Sequence, residues 1–184
     1  MSRLPKLERD AMSDQQQAVA DAITAGPRGE VRGPFIPLLH NAPAADAVQG
    51  MGSFLRFNGT LPGALREMVI LMVAREWTAQ YEWFAHHKIA LDEGLSPAIC
   101  DAIAQRETPQ FDDITYESVY AFVRELHRDK TVSSTTYERV AEVLGPECVV
   151  ELVVLCGHYH TVSMVLNTFD VNVPDGSKPL KEQL

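Results

Sequence analysis

Glu67, Glu82 and His86 have the residue types and spacing that proton chemistry needs. Glu82 and His86 stand four apart in REWTAQYEWFAHHKIALDEG, so on a helix they share one face and can hydrogen-bond. A carboxylate at that distance raises an imidazole's proton affinity and fixes its tautomer, which makes the pair a candidate general acid or base. Glu67 lies earlier, beside Met68, Val69, Ile70, Leu71 and Met72. A carboxylate in such a run sits at a helix edge or is buried with a partner. On spacing alone, an ordinary surface Glu–His pair beside a solvated Glu67 is the favoured reading.

Other reactive side chains form weaker patterns. His87 points about 100° away from His86 around a helix, toward solvent or an interface. His158 and His160 are two apart and face nearly opposite sides, so they cannot share one ion. Cys156 and His160 do share a face, but two ligands without nearby carboxylates are a weak metal case, and a core or interface role is favoured. Cys148 and Cys156 would lie about 12 Å apart along one helix, beyond disulfide reach. Trp77, Trp83 and Phe84 read first as packing and second as pocket wall.

The elements that must position these residues are helical throughout, and the sequence predicts an all-α fold. Ser13 with Gln16 forms a capping box and Gly26 a stop, bracketing a helix over 13–25. Residues 26–43 follow as a long loop, rich in Gly and Pro yet carrying Phe35, Ile36, Leu38 and Leu39, the composition of a packed, functional loop. Further helices are predicted over 43–57, from Pro62 through the Glu67 run, over 78–93, and after Ser96-Pro97. Asp113 or Thr115 opens another that runs to Arg128, and Ser134 caps one that runs to Leu144. Pro146 then leads into a long apolar helix ending near Asn167. Its segment 149–166 approaches membrane-span length, but Glu151, His158 and His160 would each be costly in lipid. A central helix of a bundle, apolar on nearly every side, is expected instead.

With 184 residues, the chain is read as a single domain over 1–184, with an N-terminal arm (1–12) and a C-terminal tail (171–184). A net charge of −9 without a Lys/Arg cluster argues against a nucleic-acid partner. The three cysteines fit reducing cytosol, and no apolar leader is read, so a cytoplasmic location without membrane contact is expected.

The stretches ALREMVILMVARE and QYEWFAHHKIALDEGLS, with RGPF and PLLH before them and LVVLCGHYHTVSMVLNTFDVNVP after, resemble the carboxymuconolactone decarboxylase family, which shares the alkylhydroperoxidase D fold. The resemblance covers about residues 28 to 174 and implies an oligomer, a homotrimer or homohexamer. In the peroxidase branch of that fold a Glu precedes Cys-x-x-Cys-x-x-x-His. With the histidine set on His86, the Glu falls on Glu67, and the two cysteine positions hold Ala79 and Glu82. Without a thiolate a peroxide has no attacking nucleophile, so peroxidase activity is disfavoured.

The decarboxylase register, Glu-x-x-x-His followed by Ala-Leu-x-x-Gly, is matched by Glu82, His86, Ala90, Leu91 and Gly94. This branch implies a small carboxylated lactone from aromatic-acid breakdown, no metal or organic cofactor, and His86 protonating a dienolate-like carbanion. Glu67 and Glu82 would tune His86. Arg32 or His40 would bind a substrate carboxylate, with Arg the better clamp, and Tyr81 and Trp83 would form wall or interface. The alternative is a noncatalytic oligomeric module that binds small acids.

Overall fold

The computed structural model describes residues 2–181. After a short 3-10 turn (Arg9–Ala11) come eight helices: α1 (Asp14–Ala25), α2 (Phe35–Leu38), α3 (Ala42–Phe57), α4 (Gly63–Glu76), α5 (Gln80–Asp92), α6 (Pro97–Ala104), α7 (Ile114–Asp129) and α8 (Ser134–Thr168). Among the described residues there is no strand.

Local chemistry sets the boundaries. Ser13 Oγ accepts from the Gln16 amide at 3.3 Å, and Gln16 Oε1 accepts from the Ser13 amide at 2.9 Å, completing the capping box of α1. Asn41 caps α3 and Asp113 caps α7 through their side-chain oxygens. The cap of α8 is Ser133, one residue before the predicted Ser134. At Gly145 (φ 76°, ψ 161°) α8 breaks, so 134–144 and 146–168 are two helical segments, divided where Pro146 predicts. The loop 26–43 is packed and contains the one-turn α2, which the sequence reading left within the loop. Phe35 and Leu39 join Val19, Ile23 and Ala45 in a small core between α1, α2 and α3.

The main core is built around α4, which packs against α5, α6, α7 and α8. Residues on every side of it are buried, including Leu65, Met68, Ile70 and Leu71. The sequence reading gave that central place to the 149–166 segment, and the structure corrects it. Leu152, Leu155 and Val162 of α8 face the core, while Val150, Val153, Val154 and Met164 are exposed along its outer side. The difference is geometric. Helix α4 is enclosed by four neighbours, whereas α8 offers only part of its circumference to α3, α4, α5 and α7.

Both ends of the described residues dock on the bundle. Ser2 Oγ and the Arg3 amide donate to the Phe169 carbonyl, and Arg3 Nη1 donates to the Thr168 carbonyl, satisfying the C-terminal end of α8. The tail predicted as an extended arm lies non-helical along its own chain as far as it is described, with Leu180 buried. There Gln80 clamps Leu180 through both backbone groups, at 2.8 and 2.9 Å. Residues 182–184 of that tail and residue 1 of the N-terminal arm lie outside the described residues.

Candidate active site

Packing of α4 beside α5 brings Glu67, Glu82 and His86 together in the interior. His86 Nδ1 lies 2.6 Å from Glu67 Oε2, and His86 Nε2 lies 3.1 Å from Glu82 Oε1. Both ring nitrogens therefore face carboxylates. All three residues are buried, with relative exposures of 4%, 0% and 3% for His86, Glu67 and Glu82. The far oxygen of Glu67 accepts a 3.4 Å bond from Arg66 Nε.

Burial opposes a charge on His86, but the fields and hydrogen bonds of Glu67 and Glu82 prevail and push its pKa up to about 9. Burial likewise opposes ionisation of Glu67, and the charge and hydrogen bond of His86, with help from Arg56 and Arg66, hold its pKa below the ordinary range. At neutral pH His86 is therefore an imidazolium, its Nδ1–H donating to Glu67 and its Nε2 at ion-pair distance from Glu82.

This group opens onto a cavity of about 620 Å³ between α5, α8 and the loop before α2. Glu82 and His86 are on its wall, and Glu67 is sealed behind the imidazole. Tyr159 meets His86 edge-on, ring centroids 5.2 Å apart. His158 also lines the cavity. Its burial, only partly offset by Glu82, drops its pKa to about 4, so it stays neutral.

The other sequence-predicted site residues divide. Tyr81 is half-buried on the cavity wall, and Arg32 is at its exposed edge, 3.1 Å from Glu30. His40 is not brought to the cavity. It is exposed, and its Nε2–H donates to the Pro5 carbonyl at 2.9 Å, pinning the N-terminal arm. Trp83 is also elsewhere. One position beyond Glu82, it turns roughly 100° around α5 into the core and stacks on His87, with centroids 5.8 Å apart.

Residues the sequence reading did not single out for the site are Arg28, Arg56, His158 and Tyr159. No spacing rule could have found the two arginines, since one comes from the loop after α1 and the other from α3. For His158 and Tyr159 there was one usable signal, a His-Tyr-His run inside an otherwise apolar helix.

No cysteine lines this cavity. Cys100, Cys148 and Cys156 are unpaired, and burial pushes the Cys100 and Cys156 thiols up to about 11 and 12. His160 belongs to a separate group, where Trp77 Nε1–H donates to His160 Nδ1 at 2.5 Å. His160 Nε2 then lies 3.2 Å from His127 Nε2. Among the described residues, no three His, Cys, Asp or Glu side chains are placed to hold a metal ion, and no helix is long and apolar enough to cross a membrane.

Solved structures with the same arrangement of helices define the fold. An uncharacterized peroxidase-related protein with an alkylhydroperoxidase AhpD core, from Ralstonia eutropha JMP134, superposes with a TM-score of 0.78 at 18% identity, covering 95% of this chain and 93% of that one. An uncharacterized peroxidase-related protein from Silicibacter sp. TM1040 gives 0.72 at 15% identity, covering 91% and 88%. A cysteine-to-alanine variant of the debrominase Bmp8, in complex with 2,3,4-tribromopyrrole, gives 0.72 at 14% identity, covering 96% and 92%. The chain has the alkylhydroperoxidase D-like all-helical fold. No family model and no curated protein matches it by sequence.

Proposed function

We propose that this protein is a cofactor-independent acid–base enzyme, a lyase or isomerase acting on a small carboxylated lactone or enol in the manner of carboxymuconolactone decarboxylases. One observation carries the reading: a buried His86 ring held between Glu67 and Glu82, with Glu82 and His86 on the wall of a cavity that no thiol lines. The chemistry this arrangement suits is proton delivery to carbon. When a carboxylated lactone loses CO₂, the bonding pair of the broken C–C bond spreads into the conjugated ring as a dienolate. Glu82, taking the Nε2 proton of His86, delivers it to that carbanion, and solvent restores the proton to the imidazole. Glu67 holds the ring oriented throughout and favours its reprotonation. The bound ligand of Bmp8 supports the size of the substrate, since a pyrrole and a lactone are both flat five-membered rings.

The test is turnover of carboxymuconolactone, followed by ultraviolet absorbance, with wild type and His86→Ala. Turnover in the wild type that disappears in the variant is expected. Full turnover by His86→Ala would refute the role of the imidazole, and a wild type inert toward this and related small lactone acids would refute the enzyme reading. The exposed valines and Met164 along α8 further support assembly as a homotrimer or homohexamer.

A further inference from the structure

We propose that Arg28 and Arg56 form a carboxylate-binding subsite in the cavity that holds Glu82 and His86, and that Gly52 is what lets Arg28 reach it. The proposal rests on reading this cavity as the substrate site, and it adds the group that selects an anionic ligand.

Both guanidiniums line the cavity and are half-buried, and among the described residues neither has a carboxylate within ion-pair distance. Arg32 differs, being spent on Glu30. The Nε of Arg28 is buried without a hydrogen-bond partner. A buried donor left unmade is costly, and a ligand oxygen is the kind of partner that removes the cost. Arg28 is already aimed, its guanidinium carbon lying 4.8 Å over the Phe35 ring, so little side-chain freedom remains to be lost on binding.

Charge and shape agree. Two guanidiniums on one wall without an ion-pair partner among the described residues make a poor empty surface and a good anion site. Arg28 shows the strain, its pKa lowered by burial and by Arg56. Arginine and lysine outnumber carboxylates on the wall in a chain whose overall charge is −9. The planar fork of a guanidinium matches a carboxylate edge in two parallel bonds. On α3, a Cβ at Gly52 would lie 2.7 Å from Arg28 Nη2 and 2.8 Å from His158 Nε2. A side chain there would push Arg28 Nη2 and His158 Nε2 out of these positions. The ligand this surface fits is a small flat acid, its carboxylate on the two arginines and its ring toward Glu82, His86 and Tyr159.

The experiment is calorimetric titration of the full chain with benzoate and with its neutral isostere benzamide. Wild type, Arg28→Gln, Arg56→Gln, Gly52→Ala and the exposed-surface control Arg139→Gln are compared. Benzoate is expected to bind wild type at least about tenfold more tightly than benzamide. Arg28→Gln and Arg56→Gln should each weaken benzoate by about tenfold or more while leaving benzamide unchanged, the size expected of one charge-assisted hydrogen bond. Gly52→Ala, which keeps every charge, should weaken benzoate similarly, and Arg139→Gln should not. The subsite is overturned if wild type ignores benzoate at millimolar concentration, binds benzamide equally well, or keeps its benzoate affinity in the arginine variants. Should a variant lose its far-ultraviolet circular dichroism, the wild-type benzoate-to-benzamide ratio and the remaining variants decide. Binding is read without turnover, so an inert enzyme that still selects benzoate would refute the proposed catalysis and leave the subsite standing.

Discussion

A proton on His86 has two places to go, Glu67 Oε2 at 2.6 Å and Glu82 Oε1 at 3.1 Å. The first is sealed in the core and the second is on the cavity wall, so the two carboxylates differ in role despite similar geometry. Glu82→Gln should lower kcat by about 10²–10⁴, the usual worth of a positioned acid or base. Glu67→Gln keeps a hydrogen-bond partner but removes a charge, so it should lower the pH at which activity fails while reducing kcat less. In the wild type, kcat should fall as pH rises through about 9, where His86 loses its proton. Stability follows the same sign. A histidine whose folded pKa is raised from 6.5 to about 9 contributes fully below 6.5 and loses that contribution as pH climbs through 9. Urea unfolding should show a loss of roughly 3 kcal/mol between those limits, and a flat profile would contradict the charged imidazole. Glu67, with its pKa lowered, contributes above its ordinary 4.5 and loses that as pH falls through its folded value. The pair was half legible in the sequence. Four-residue spacing placed Glu82 against His86, but that Glu67 closes the other ring nitrogen depends on how α4 and α5 pack.

The helices were legible where their ends carry their own chemistry: Ser13 with Gln16, Ser96 with Pro97, and Pro146. What one helix does to another was not. Apolar content favoured the 149–166 segment as the central element, yet burial depends on how the neighbours are arranged around a helix, and α4 has them on all sides. Glu151, read as an argument against a membrane span, proves to be a tie between elements. Its carboxylate accepts from the Thr60 amide and hydroxyl, both at 2.7 Å, and from the Leu61 amide at 3.2 Å, fixing the turn that leads into α4. Glu151→Ala should therefore destabilise the fold by about 2–4 kcal/mol, by loss of charge-assisted bonds to the Thr60 amide and the buried Leu61 amide. A change under about 0.5 kcal/mol in chemical denaturation, the range of ordinary surface substitutions, would show that the turn is held by packing alone. Arg28 and Arg56 were illegible for the reason that hid α4. They meet Glu82 and His86 only once α3, α5, α8 and the loop before α2 are assembled around one cavity.

For the molecule as a whole, an acidic surface surrounds a cavity rich in cations, while the outer face of α8 presents Val150, Val153, Val154 and Met164. Exposed aliphatics at that spacing form a stripe suited to a second copy of the chain. Sedimentation should give three or six times 20.4 kDa, and Val150→Glu with Val153→Glu should reduce it toward one, with helicity retained. A monomer at micromolar concentration would contradict the assembly. The fold keeps one imidazole in the interior, between two acidic side chains and beside the cavity proposed to take a small acid. The most direct test is to titrate the six histidines by NMR and assign His86 by its loss in His86→Gln. The expected result is a His86 ring that stays protonated through neutrality and titrates near 9, while His127 and His158 titrate near 4. A His86 that loses its proton at or below 6.5 would mean a neutral ring at neutral pH, and the proton relay proposed here would be wrong.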